Sequence, residues 1–248
     1  MSSLLSTAAA ASLLEVSEAS VRRWADRGML PVQRIGRRQE RRFREDDLRA
    51  FLEKGQRPAR GSGAEVTQAM VAIGGASVPT GTHVASFYDS DAARVRIPVP
   101  FLQEGLRRHQ PCFLIASGAV LDAYLEPLHD EMGDELKQAE RDGLFVTAPA
   151  PGSTASAALA GWEERFWATL VAGGTVIRVV GEMISELSVF GSTSEMLAYE
   201  QGYNSMIKRF PSVTLCQYDV RGFDGVTVLQ AMKAHPDQFD LGLQRFLL

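Results

Sequence analysis

From His83 onward, short apolar runs alternate with stretches of helical periodicity, and this alternation limits the fold more than any other feature of the 248-residue chain. Strand-like runs at 83–88, 112–116, 144–147, 176–180 and 213–218 are separated by helical patterns at 95–108, 119–132, 135–142, 156–172 and 195–210, with a last helix at 225–234. The runs are nearly continuous in apolar residues, as in Cys112 to Ala116. A strand that reads this way is buried on both faces, which is the situation of a parallel sheet covered by helices. Parallel neighbours need crossovers of a dozen residues or more, and the helical stretches have that length. The expectation is an α/β body over residues 80–248, its sheet mostly parallel.

The first 54 residues follow a different plan. Ser6 or Thr7 can cap a helix from Ala8 to Leu14. Ser17 starts a second helix whose stripe is Val21, Trp24 and Ala25. Gly28 is placed to stop it, and Pro31 prevents its resumption. Val32 to Ile35 and Arg41 to Arg44 can pair around Gly36 to Glu40. A third helix, about Glu45 to Lys54, turns Leu48, Phe51 and Leu52 inward. Net charge is -4, but it is divided unevenly: residues 1–60 carry 13 basic against 8 acidic side chains, and the rest 13 against 22. A basic head on an acidic body suits a nucleic-acid-binding module tethered to something else. A helix-turn-helix presents its second helix to the major groove, so Ser20, Arg22 and Arg23 are candidate base-reading residues. Arg34, Arg37, Arg38, Arg41 and Arg42 of the hairpin are candidate phosphate contacts.

Between head and body, residues 55–79 read as a linker. Gly55 to Gly63 is rich in Gly, Pro and Ser, and Ala64 to Gly75 can form one amphipathic helix (Val66, Ala69, Met70, Ile73) that connects the domains or pairs protomers. Cys112 and Cys216 both lie in apolar runs, which suits buried thiols in a reducing cytoplasm. No run of 18 apolar residues offers a membrane span.

Residues 4–54 resemble the winged helix-turn-helix of MerR-type and excisionase-type proteins. The resemblance rests on Ser6-Thr-Ala-Ala-Ala10, Leu13-Leu-Glu-Val-Ser17, Val21-Arg-Arg-Trp24, Arg27-Gly-Met-Leu-Pro31 and Arg41-Arg-Phe-Arg-Glu-Asp-Asp-Leu48. It implies that Trp24 packs in the core while Arg22 and Arg23 face DNA. Residues 80–238 resemble the MEDS sensory domain of DcmR-like regulators, through Gly81-Thr-His-Val-Ala-Ser-Phe-Tyr-Asp89, Pro100-Phe-Leu-Gln-Glu-Gly-Leu-Arg-Arg108 and Val179-Val-Gly-Glu-Met183. Further matches are Tyr199-Glu200, Asn204, Leu215-Cys-Gln-Tyr-Asp219, Phe223-Asp-Gly225 and His235-Pro236. That family is proposed to sense hydrocarbon derivatives or other small molecules, and its best-known type is a repressor. The body also looks like a degenerate RecA/KaiC-type core. A P-loop needs Gly-rich backbone and a Lys, and Tyr88-Asp-Ser-Asp-Ala-Ala93 stands at the corresponding turn, so ordinary P-loop hydrolysis is not expected.

In open parallel sheets, ligands bind beyond the carboxyl ends of the strands. Those ends offer Phe87, Tyr88, Asp89, Ser117, Glu182, Met183 and Tyr218 as candidate effector contacts, with Gly181 and Asp219 beside them. His83, His109, His129 and His235 are scattered without metal-ligand spacing, and there is no nucleophile elbow, so no catalytic residue, metal or cofactor is expected. The expected protein is a cytoplasmic, homodimeric repressor that binds double-stranded DNA and responds to a small molecule. The alternative is a nucleotide-binding signalling protein whose head is a docking module. An excisionase-like architectural factor would leave the large body without a purpose.

Overall fold

A computed structural model describes residues 4–14, 16, 18–26, 28, 30–36, 39–55 and 69–248, with backbone alone at 52–55. It divides into two compact units: residues 1–63 with 162–175, and residues 64–161 with 176–248.

In the first unit, β1 (Leu4–Ser6), α1 (Thr7–Leu14), α2 (Glu18–Asp26), β2 (Gln33–Ile35), β3 (Glu40–Arg44) and α3 (Glu45–Gly55) follow in order. Ser6 caps α1 by accepting a hydrogen bond from the Ala9 N–H at 3.2 Å. Gly28 ends the turn after α2 at φ +72°, a left-handed conformation that glycine adopts without strain. The expected cap Ser17 and the wing residues Arg37 and Arg38 lie outside the described residues, as do 56–68, which hold most of the expected linker. The wing is an antiparallel sheet in the order β1-β3-β2. β1 is an addition to the sequence reading, since three residues are too few to show a period.

Trp24 is fully buried at the centre of this unit. Its ring lies 5.3 Å from Phe51 and 5.6 Å, edge-on, from Trp167, and Phe51 stacks on Trp167 at 4.9 Å. Val21, Leu30, Phe43 and Leu48 complete the core around it. The head is therefore not the 1–54 segment alone; residues 162–175 fold with it.

The second unit begins with the hairpin β4 (Met70–Ile73) and β5 (Ala76–Pro79), joined by Gly74 and Gly75 at φ +55° and +75°. Two consecutive positive-φ residues make the primed turn that matches strand twist. This corrects the amphipathic helix expected through Gly75 and the linker expected through residue 79. Val71, Ile73 and Val78 alternate inward with period two and are buried in the main core.

Then follow β6 (Thr82–Tyr88), α4 (Asp91–Val95), α5 (Pro98–Arg107), β7 (Cys112–Ile115), α6 (Gly118–Met132), α7 (Asp134–Arg141), β8 (Phe145–Thr147) and α8 (Ala155–Val171). The rest is β9 (Ile177–Glu182), α9 (Met183–Phe190), α10 (Thr193–Ile207), β10 (Ser212–Asp219), α11 (Gly225–Ala234), α12 (Asp237–Asp240) and a 3-10 turn at Leu243–Phe246. The sheet is wholly parallel, in the order β6-β10-β9-β7-β8, and every residue of β6, β7, β9 and β10 is buried. The mostly parallel α/β body expected from the apolar runs is present.

Two details depart from the sequence reading. The helix expected over 95–108 starts afresh at Pro98, whose fixed φ suits a first helical turn, with α4 as a separate short helix before it. β9 continues past Val180 through Gly181 and Glu182, and α9 follows at once. At Gly181 a Cβ would stand 2.7 Å from Glu186 Oε1, so the Glu186 carboxyl occupies the space a side chain there would take. Arg178 is buried in β9, donating to the Phe101 carbonyl at 2.8 Å and to Gln110 Oε1 at 2.8 Å. Cys112 and Cys216 are buried and unbridged. Among the described residues no helix is long and apolar enough to cross a membrane.

The packing of Trp24 gives a direct test. Trp24→Ala should cost about 3–5 kcal/mol, the usual range for emptying a buried aromatic site. Urea unfolding of the full chain followed by near-UV circular dichroism measures it, and a loss below about 1 kcal/mol would contradict the packing described.

Candidate functional site

The head sorts its charged side chains by their carboxylate partners. Arg22 is exposed on α2 and pairs with Glu18 one turn earlier. Arg34 and Arg41 are cross-strand neighbours on β2 and β3, and both reach Asp26, at 3.2 Å and 2.8 Å. The Arg41 hydrogen bond holds the Asp26 carboxyl below its usual range. Arg42 pairs with Glu40 at 2.7 Å. Pairs so open to water are screened and contribute little, so a phosphate can replace the carboxylate at little cost.

One of the expected base-reading residues, Ser20, is placed differently, and Arg23, a third exposed, has an acidic neighbour the sequence did not show. Ser20 is fully buried, and its hydroxyl donates to Glu163 Oε2 at 3.2 Å. Arg23 Nε lies 3.5 Å from Glu164 Oε2. Both point to residues of the 162–175 segment. The sequence around α2 carries no sign of this, because the partners are more than a hundred residues away.

In the body, the strand ends assemble a buried ionisable network. Tyr88 and Glu182 close β6 and β9, and the Tyr88 hydroxyl lies 3.1 Å from both Glu182 oxygens. Tyr124, from α6, donates to Glu182 Oε2 at 2.5 Å. Arg94, from α4, donates through Nε to the Tyr88 oxygen at 3.0 Å. Its Nη2 lies 3.4 Å from Asp219 at the end of β10. Arg221 then bridges Asp219 at 2.6 Å and Asp91 at 2.9 Å. The network thus runs from a fully buried carboxyl to the exposed Asp91.

Burial pushes the Glu182 carboxyl up to about 7, against the opposing pull of the Tyr124 and Tyr88 hydrogen bonds and of Arg94. Burial, and then the charge on Glu182, drive the Tyr88 and Tyr124 hydroxyls upward, so both keep their protons as donors. A carboxyl that changes charge near neutrality, at the ligand-binding end of a parallel sheet, is a candidate functional group with a stated physical cause.

Of the seven residues expected at the strand ends, Tyr88 and Glu182 meet in this network. Phe87 and Tyr218 point to the opposite face, where their rings stack at 5.3 Å. Asp89 is exposed. Ser117 accepts no cap at its side chain, but its N–H donates to Ser185 Oγ at 3.1 Å. Met183 is buried as the first residue of α9. Sequence reasoning named Asp219 at a strand end and missed Tyr124, Arg94 and Arg221. Tyr124 gave a weak signal, as the aromatic on the inner side of an otherwise acidic helix. Separately, the β4–β5 hairpin, α5 and the last residues of the chain enclose a hollow of about 400 Å³, walled by Ile73, Ile97 and Phe101 and rimmed by Arg96, Glu104 and Arg245.

A head with a helix-turn-helix and wing, joined in one chain to a parallel α/β body, has the layout of a DNA-binding regulator. Family comparison agrees in both parts. A helix-turn-helix domain model matches residues 4–56, and the model of the MEDS domain, the methanogen/methylotroph DcmR sensory domain, matches residues 82–236. The transcriptional repressor DcmR of Methylorubrum extorquens is 37% identical over 97% of this chain and 93% of its own length. The chain belongs to the MEDS family of DcmR-like helix-turn-helix regulators.

Glu182 sets a pH signature. Between its ordinary value of 4.5 and about 7, the folded chain keeps a proton that the unfolded chain releases, so this residue lowers stability as pH rises through that window. Glu182→Gln removes the effect, and its stability change from pH 5 to pH 8 should differ from that of the parent by up to about 3 kcal/mol. Denaturant titrations at both pH values measure this, and identical pH dependence in the two chains would contradict it.

Proposed function

We propose that this protein is a cytoplasmic, dimeric transcriptional repressor that binds double-stranded DNA through its head and releases it in response to a small molecule bound by its body. The observation that carries the reading is the set of arginines on a helix-turn-helix and wing, Arg22 and Arg34 exposed and Arg41 and Arg42 half-buried, in a chain similar along its length to a protein named a transcriptional repressor. In this reading Arg22 reaches base edges. The wing arginines, with Arg37 and Arg38 beside them in sequence, hold the phosphates.

The effector is a small polar-ended molecule that meets the network of Tyr88, Glu182 and Tyr124 at the strand ends. Glu182, titrating near neutrality, can give or accept a hydrogen bond there. A ligand shifts DNA affinity only by binding one arrangement of the protein better than another. α8 offers a covalent route for such a shift, because Ala155 to Gly161 belong to the body and Trp162 to Val171 fold with the head. A second reading, favoured by its volume, puts the effector in the 400 Å³ hollow.

Fluorescence anisotropy with the chain's own promoter region tests the head. The pair Arg34→Ala and Arg42→Ala should weaken binding to all sequences and reduce the log–log salt slope by about 2, whereas Arg22→Ala should cost about 1–3 kcal/mol on the specific site with a smaller loss elsewhere. An unchanged slope would remove the wing from the interface. Light scattering should show a dimer on DNA. An effector response lost in Glu182→Gln but kept in Ala72→Trp, which fills the hollow, supports the strand ends; the reverse result moves the effector to the hollow.

A further inference from the structure

On the sheet face opposite the Glu182 network, four chemically matched side chains converge. His83 lies on β6 opposite Thr214 of β10, and Cys216 lies two residues beyond Thr214 on the same face. Glu200 comes from α10, and His235 closes the end of α11. All four are buried: Cys216 is 3% exposed, and the other three are 0% exposed. His83 Nε2 lies 3.2 Å from Cys216 Sγ and 3.6 Å from Glu200 Oε2. His235 Nε2 lies 2.8 Å from Glu200 Oε2, Cys216 Sγ lies 3.8 Å from Glu200 Oε1, and the two imidazole rings are centred 4.0 Å apart. One ligand atom from each of the four fits within 4.8 Å of every other.

We propose that His83, Glu200, Cys216 and His235 bind one zinc ion, which fastens α10 and α11 to the sheet.

The hydrogen bonding of His235 points to a cation. Its Nδ1 lies 2.7 Å from the Ala231 carbonyl, an acceptor only, so Nδ1 carries the proton of the neutral ring. The lone pair of Nε2 then faces a carboxylate oxygen at 2.8 Å, out of line for a hydrogen bond. Neither Nε2 nor Glu200 Oε2 has a hydrogen-bond partner. Two electron pairs held together away from water are repulsive unless a positive centre lies between them. Among the described residues no Lys or Arg pairs with Glu200. A divalent ion facing one thiolate and one carboxylate restores neutrality.

The donor set selects the ion. Two imidazole nitrogens, a thiolate and a carboxylate oxygen form a four-coordinate borderline-soft site, which suits zinc; calcium and magnesium call for oxygen ligands alone. Ligand atoms around a tetrahedral zinc stand about 3.5 Å apart, close to the separations found. With all four positions supplied by protein, the site is of the closed, structural kind. An outer contact is in place too: the Ala231 carbonyl orients His235.

Metal analysis of the full chain, purified without chelator, should find about one zinc per chain, and Cys216→Ser and His235→Gln should each bring it to background. Cobalt(II) added to the stripped parent chain should give tetrahedral bands with a sulfur-to-metal charge-transfer absorption, and zinc should raise its melting temperature. The cobalt experiment uses the parent chain, so it decides even if a variant fails to fold. A folded parent without zinc and without the charge-transfer band would overturn the proposal. So would zinc retained at full stoichiometry by folded Cys216→Ser and His235→Gln.

Discussion

β10 has water on neither face and a parallel neighbour on each side, and most of the body's chemistry follows from that. Ser212, Thr214, Cys216 and Tyr218 point to one face, Val213, Leu215, Gln217 and Asp219 to the other, and all eight are buried. A strand of aliphatic residues would satisfy such an environment without further demands. This one carries polar groups into it, and buried polar groups must find partners within the protein. The faces answer differently. One draws in Tyr88, Glu182, Tyr124 and Arg94, so that a carboxyl, two phenols and a guanidinium share their protons. The other gathers His83, Glu200 and His235 around Cys216, where the lone pairs outnumber the protons.

In the head the corresponding constraint is Trp24. An indole fully buried in a unit this small needs aromatic neighbours of matching size, and Phe51 alone leaves one side of the ring uncovered. Trp167 covers it. Once α8 supplies that residue, its neighbours Glu163 and Glu164 come to lie against Ser20 and Arg23. The polar face of α2 is thereby divided: Ser20 serves the packing of the head and Arg23 reaches toward Glu164, while Arg22 stays on the open side beside Glu18. The presentation of the reading helix depends in this way on an aromatic contact rather than on charge.

The parallel sheet was legible because burial on both faces writes itself into each strand as a continuous apolar run. Helices were legible where caps and stops are local, as at Ser6, Gly28 and the acidic first turn of α3. Three features escaped for three physical reasons. The β4–β5 hairpin follows an apolar spacing that fits either period, and the Gly74–Gly75 pair that decides it reads equally as a helix end. α9 escaped because β9 runs on through Gly181, whose lack of a side chain matters only once Glu186 is in place against it. The side chains that complete each polar layer escaped because they come from distant elements. Tyr124 meets Glu182 across 58 residues, and His83 meets Cys216 across 133. Spacing rules work for ligands on one turn or one loop and have no access to a site assembled by a sheet.

The two polar layers are not independent. Glu182 ends β9 on one face, and four residues later α9 delivers Glu186 to the other, with Oε1 close to the position a Gly181 side chain would take and Cys216 next beyond it. Burial holds the Glu186 carboxyl far above its usual range, and the charges of Glu200 and then Glu182 add to the effect. The charge on Glu182 thus bears on Glu186 through a single turn of helix. α9 begins beside Glu182 and carries Glu186 to the face of Cys216, so the two polar layers share one short element although the sheet lies between them.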